Sequence, residues 1–146
     1  MKDLSAAGLA PFEIVIGGLN SFLSAAYLDV DDPADRLATL RVNMRHLGCL
    51  NVATCRYEGQ NLPLPADSWP LILLDAPCSG WGTVDKNPKV LELWTPEKAE
   101  GLVKLQRELL ARAAELLVPG GELVFSTCTT NVRENEDQAA WAREFL

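Results

Sequence analysis

Histidine is almost missing from this chain: His46 stands alone among 146 residues. It lies far in sequence from Cys78 and Cys128, and nothing marks it as their base, which argues against a cysteine enzyme such as a thiol hydrolase. Long apolar runs are missing as well. No stretch approaches the roughly 20 residues that a bilayer span needs. The start, Met1-Lys2-Asp3-Leu4, lacks the basic and apolar regions of a secretory signal, so a cytoplasmic location is expected. The cysteines Cys49, Cys55, Cys78 and Cys128 include no CxxC pair, and no zinc or other metal site is expected from them. Without secretion they are read as reduced. Basic residues are scarce, 13 Lys and Arg against 20 Asp and Glu, for a net charge of −7. Nucleic-acid binders usually carry a basic patch that neutralises phosphates. None is visible here, so any such partner has to be gripped by other segments or subunits. The plainer reading is that the acidity keeps the domain soluble. Repeats and low-complexity segments are absent too.

What remains is ordinary globular material, 48% hydrophobic and 23% charged, enough for one domain with a moderate core. Apolar residues at Leu37, Leu40, Met44 and Leu47 predict a helix over 34–47, with Asp35 in its first turn and Gly48 after its end. Residues 51–56 read as a short strand and 59–68 as a Pro-containing loop. Residues 70–74 read as a strand buried on both faces, because both are apolar. A loop over 79–88 follows. Thr95 as N-cap and Pro96 at the first helical position open a helix to about Leu117, with Leu102, Leu105, Leu109, Ala113 and Leu116 as its apolar stripe. Residues 118–121 read as a turn, 122–125 as a strand and 135–146 as a final helix. This order, with short connections, predicts an α/β domain with a mostly parallel sheet. The first 30 residues read as two strands, over 11–18 and 24–29, rather than strand–helix–strand.

Two cysteine-bearing segments then stand out. Asp75-Ala76-Pro77-Cys78-Ser79-Gly80 follows the apolar run Leu71 to Leu74, and Ser126-Thr127-Cys128-Thr129 follows Glu122 to Phe125. Each places a cysteine just past the carboxyl end of a strand, the edge of an open α/β sheet where ligands bind. An isolated free cysteine is most often a small buried hydrophobe. Here the neighbours change that reading. Pro77 fixes the backbone before Cys78, Ser79-Gly80 permits close approach of a ligand, and Asp75 ends an apolar strand where a carboxylate does not belong without a partner. A thiolate is the nucleophile a thiol supplies, and a strand edge rich in N–H groups favours it.

The ordered set of residues 75–80, Gly82-Thr83, Asn87-Pro88, residues 105–110, Pro119-Gly120-Gly121, Ser126-Thr127-Cys128-Thr129 and Glu134-Asn135-Glu136 resembles the Sun/Fmu-type RNA (cytosine-5) methyltransferases over about residues 30–146. The resemblance implies a Rossmann-like methyltransferase domain that moves a methyl group from S-adenosylmethionine to C5 of a cytosine in RNA, either rRNA or tRNA. It implies Cys128 as the nucleophile at cytosine C6 and Cys78 as the group that helps eliminate the enzyme. Asp75 would bind the cytosine edge and its protonated N3, with Pro77, Ser79 and Gly80 around the base. The chemistry is coherent, since C5 becomes nucleophilic only once C6 is tetrahedral. The target base also has to leave any stack. Trp81 either stacks on a base or packs as a lid, and these readings stand level. Lys86 reads as solvated, with contact to a phosphate as the alternative, and Arg107 and Arg112 read as a solvated, exposed helix face.

For the cofactor, the resemblance implies an acid for the ribose hydroxyls at Asp31, with Asp29 as the close alternative. For Asp32 and Asp35 a capping or solvated role is accepted. Glu58-Gly59-Gln60-Asn61-Leu62-Pro63 fits the family's adenine segment, with glutamate where aspartate is usual. Asp75 borders this half of the site also. The family's first strand enters Asp-Leu-Cys-Ala-Ala-Pro-Gly-Gly-Lys-Thr. This chain has Asp3-Leu4-Ser5-Ala6-Ala7 and then Gly8-Leu9-Ala10-Pro11-Phe12, so Ala6 and Ala7 remain as candidates while the Gly-Gly-Lys is absent. Residues 1–146 are thus expected to be one methyltransferase catalytic domain, incomplete at its N- and C-terminal ends, atypical over 1–30, and without RNA-binding segments, metal or membrane partner. The rival expectation is an inactive relative or fragment that serves as a structural or partner-binding module.

Overall fold

The computed structural model describes residues 14–18, 22–23, 33–48 and 52–146. Its elements are β1 (Ile14–Gly18), β2 (Phe22–Leu23), α1 (Pro33–His46), β3 (Val52–Glu58), β4 (Trp69–Asp75), α2 (Lys89–Leu93), α3 (Pro96–Leu116), β5 (Leu117–Ser126) and α4 (Glu136–Ala142). Short 3-10 turns at Gly59–Asn61, Trp81–Thr83 and Val132–Glu134 join them. β1 pairs in parallel with β3, and β4 pairs in parallel with β5. β2 runs antiparallel to β4, Phe22 opposite Asp75. That pair is the antiparallel exception in the mostly parallel pairing expected from the element sequence. Its two residues cover one edge of β4, which otherwise offers unpaired backbone groups. Within residues 1–30, β1 falls in the first strand read from sequence. β2 precedes the second, whose residues 24–29 lie outside the described ones.

α3 organises the described core. Thr95 caps it by accepting from Lys98 N–H at 3.2 Å, and Pro96, which has no N–H to satisfy, opens the first turn. The helix buries Ala99, Val103, Gln106, Leu109, Leu110, Ala113 and Leu116. Leu74, Ala76, Leu109, Leu110 and Ala142 form one cluster, flanked by Leu123, Phe125 and Trp141. Leu62, Ile72, Ala113 and Leu116 form a second, flanked by Leu64, Trp69 and Leu117. The predicted stripe is therefore rotated: Leu102 and Leu105 are only half-buried, and the polar Gln106 takes a central place.

β4 is not buried on both faces as its sequence suggests. Ile72 and Leu74 are buried, but Leu71 keeps 48% of its surface exposed, as does Val124 on β5. Among the described residues, α3 and α4 pack on one face of this pair only. Residues 118–121, expected as a turn, belong instead to β5, as an irregularity within it. Leu117 already faces Trp69, the register then shifts, and Glu122 faces Leu71. Gly120 takes φ +78°, and a Cβ on Gly121 would sit 2.9 Å from Leu117 Cγ and 3.0 Å from Pro70 O. Only glycine fits that crossing.

Candidate active site

Parallel pairing brings the carboxyl ends of β4 and β5 side by side, with Asp75 opposite Ser126. Ala76 N–H extends the ladder by donating to Ser126 O at 2.9 Å. Whatever follows the two strands is delivered to one place, and both segments carry a cysteine there. The Cys78 and Cys128 sulfurs are 3.1 Å apart and share a hydrogen bond. Cys128 N–H also donates to Cys78 Sγ at 3.2 Å. Both thiols are free, Cys78 half-buried and Cys128 exposed. Burial pushes the Cys78 thiol up to about 12, and its hydrogen bond with Cys128 adds to the rise, against the pull of backbone N–H groups of Gly80 and Cys128. Cys78 therefore holds its proton more tightly than an ordinary thiol.

Asp75 is held beside them, since Ser126 Oγ donates to its Oδ1 at 2.7 Å. Pro77 O accepts from Gln106 Nε2 at 2.8 Å, and Ser79 Oγ meets Thr129 Oγ1 at 2.8 Å. Gly80 adopts φ +72°, which turns the chain sharply after Cys78. Gly82 N–H donates to Cys128 O at 3.0 Å, and a Cβ on Gly82 would lie 2.9 Å from that oxygen. Beside this contact Trp81 is 37% exposed and meets Trp94 edge-on, 5.4 Å between centroids. It is thus a supported, partly open ring rather than a buried lid.

The structure therefore brings together Asp75, Pro77, Cys78, Ser79, Gly80 and Cys128. Glu58 ends β3 in the other sheet, exposed, and accepts from Asn61 Nδ2 at 2.8 Å. Ala6, Ala7, Asp29 and Asp31 lie outside the described residues. Arg112, read from sequence as solvated, is instead bound: it donates to Leu62 O at 2.7 Å and Leu64 O at 2.8 Å, tying the segment after Glu58 to α3. A cavity of about 650 Å³ runs along α3 between Pro96 and Arg107 and contains none of these residues.

Sequence reasoning missed the buried polar layer beneath the thiols. Gln106, Glu134 and Gln138 are fully buried. Glu134 accepts from Ser79 N–H at 2.8 Å, Asn131 Nδ2 at 2.8 Å and Gln106 Nε2 at 3.3 Å. The available signal was Gln106, a polar residue on the apolar side of a long helix, paired with the acid of Glu134-Asn135-Glu136. Among the described residues no group of three or more His, Cys, Asp or Glu is arranged to hold a metal, and no helix is long and apolar enough to cross a membrane.

Comparison with known proteins identifies the family of the chain. The family described as 16S rRNA methyltransferase RsmB/F matches residues 20–144. Ribosomal RNA small subunit methyltransferase F of Escherichia coli is 43% identical over 146 residues, covering 99% of this chain and 30% of that protein. The protein of the same name from Shewanella amazonensis is 43% identical over 112 residues, covering 76% and 24%. The chain thus spans less than a third of the length of these curated relatives. Among solved structures, NSun6 from Pyrococcus horikoshii with SFG superposes with TM-score 0.67 at 28% identity, covering 90% of this chain and 36% of that one. A methyltransferase homologue from Pyrococcus horikoshii gives 0.62 at 35% identity, covering 75% and 33%. The sheet with its flanking helices is part of a Rossmann-like methyltransferase domain. Sequence and fold agree on one assignment: the chain belongs to the 16S rRNA methyltransferase RsmB/F family.

Proposed function

We propose that this chain carries the catalytic edge of an RNA cytosine-5 methyltransferase acting on small-subunit rRNA, and that residues 1–146 are part of one catalytic domain. The observation that carries the proposal is the pair of free thiols 3.1 Å apart at the ends of two parallel strands, beside Asp75. In this reading Cys128, the exposed thiol, attacks cytosine C6 as its thiolate. Asp75 holds the cytosine edge and stabilises a proton at N3, which draws electrons from the ring and eases attack. With the C6–S bond formed, C5 is electron-rich and accepts the methyl group. Loss of the C5 proton to solvent water then restores the C5–C6 double bond and expels the Cys128 sulfur as its thiolate. Cys78, in hydrogen-bond contact with that sulfur, assists this elimination. Pro77, Ser79 and Gly80 shape the base pocket, and Trp81 offers a stacking face.

S-adenosylmethionine supplies an electrophilic methyl group in this site. The described residues suit it in part. Glu58 is an exposed carboxylate at a strand's carboxyl end, able to accept from the adenine amine, and Arg112 braces the segment behind it. Asp31, Ala6 and Ala7 are proposed for the ribose and methionine ends. The ligand SFG of the NSun6 structure is an analogue of this cofactor, which supports the same reading. With a net charge of −7, the chain supplies chemistry rather than phosphate grip, which basic segments outside it provide. The cytoplasm is the proposed compartment.

The test is transfer of labelled methyl from S-adenosylmethionine to a 16S rRNA transcript, with the product base identified by mass spectrometry. The reading expects 5-methylcytosine from the wild-type chain and none from Cys128→Ala. Methylation that survives Cys128→Ala, or falls on another base, would contradict it.

A further inference from the structure

We infer that the adjacent residues Glu134 and Asn135 are positioning residues, a single clamp that sets the separation of the Cys78 and Cys128 sulfurs. Neither residue is hydrogen-bonded to a sulfur. Each instead holds one of the two loops that carry them.

Glu134 holds the first loop. Its carboxylate is fully buried and accepts the Ser79 N–H at 2.8 Å, directly after Cys78. The same oxygen receives Gln106 Nε2 at 3.3 Å, and that amide also donates to Pro77 O at 2.8 Å, directly before Cys78. Cys78 is thus fixed on both sides through one buried carboxylate and one buried amide. Asn135 holds the second loop in the same manner. Its Oδ1 accepts from Thr127 Oγ1, and its Nδ2 donates to Thr129 O at 2.8 Å, so it grips the residues on either side of Cys128. The loops also meet directly through Ser79 Oγ and Thr129 Oγ1 at 2.8 Å.

Burying a carboxylate is unfavourable unless its lone pairs are filled, and a buried group that is filled becomes a rigid fixture. Glu134 has three donors, one of them a main-chain N–H of the loop it fixes. Because Glu134 and Asn135 are consecutive, neither loop can shift far without straining the peptide between them. The 3-10 turn at Val132–Glu134, capped by Asn131 Oδ1 on Arg133 N–H at 3.1 Å, anchors that segment in turn. For catalysis, the role of this clamp rests on the reading proposed above, in which one thiol acts on a carbon while the other acts on its release.

The separation of the thiols is measurable without RNA or cofactor. Treating the full chain with diamide, which accepts the two protons and two electrons of the thiol pair, joins Cys78 to Cys128 at a rate that reports their approach. The bond is located by peptide mass spectrometry. Glu134→Gln places a donor where an acceptor stood, and Asn135→Ala removes both grips on the second loop. Each should slow formation of this disulfide at least about tenfold, the scale on which displacements of an ångström alter encounter within a site. Leu116→Ala, a core variant in the second cluster, should lower the melting temperature yet leave the rate unchanged. If Glu134→Gln does not fold, Asn135→Ala decides the matter alone. Wild-type rates in the clamp variants, or equal slowing in Leu116→Ala, would overturn the inference. Failure of RNA methylation would leave it standing, since the two are read separately.

Discussion

At the scale of single residues, the site depends on two identical side chains in different surroundings. Cys128 is exposed, while Cys78 is half-buried and its thiol is pushed up to about 12, first by burial and then by its contact with Cys128. The thiolate is the reactive form, so iodoacetamide at pH about 8 should modify Cys128 well before Cys78. Peptide mass spectrometry over a time course checks this, and Cys78 reacting first would contradict it. The same shift has a consequence for stability. The folded value lies above the ordinary thiol value of 9.0, so the folded chain holds this proton more tightly than the unfolded chain. The stability so contributed is complete below pH 9 and is lost as the pH rises toward about 12. Thermal melts across that window should therefore decline more steeply for the wild-type chain than for Cys78→Ala. Gly82 is constrained by the same loop. A Cβ there meets Cys128 O at 2.9 Å, so Gly82→Ala should displace the Cys128 loop and lower methyl transfer about tenfold or more. Rates measured beside a melt separate that effect from unfolding.

At the scale of elements, legibility followed how local the determining physics is. α3 was readable because its cap, its first-turn proline and its apolar spacing are all sequence-local, and it begins and ends almost where those signals place it. α2, five residues with no side-chain cap, carries no such signal, and the sequence reading left residues 89–93 unassigned between the loop over 79–88 and the cap at Thr95. The antiparallel β2–β4 pair depends on which strand edge is left open, a property of the sheet and not of Phe22–Leu23. Gln106 was missed because its burial is set by Pro77 O and Glu134, partners 29 and 28 residues away. The cysteines, Asp75 and the glycine turn were legible as one cluster because ligands bind at the carboxyl ends of the strands in this class of sheet. Two substitutions test the packing account by chemical denaturation. Leu110→Ala, in the first core cluster, should cost about 2–5 kcal/mol. Thr95→Ala, which removes the α3 cap, should cost about 1 kcal/mol. A Leu110→Ala variant as stable as wild type would show that the described cluster is not the core.

At the scale of the whole molecule, the chain combines two adjoining thiols at a strand edge with an excess of acidic residues. Its net charge of −7 predicts few phosphate contacts of its own. Binding of the isolated chain to RNA should then depend weakly on salt, with a log–log slope shallower than about −2. A much steeper slope in a filter-binding titration would reveal a basic face that this account lacks. The central claim concerns the thiol pair, in which Cys128 forms the bond to cytosine and Cys78 assists its release. The most direct measurement is covalent trapping: each cysteine variant is incubated with a 16S rRNA transcript and S-adenosylmethionine, and the RNA-linked protein is resolved on a denaturing gel. The account predicts that Cys78→Ala accumulates a linked species and that Cys128→Ala forms none. Equal amounts of adduct in both variants, or adduct in Cys128→Ala alone, would contradict it.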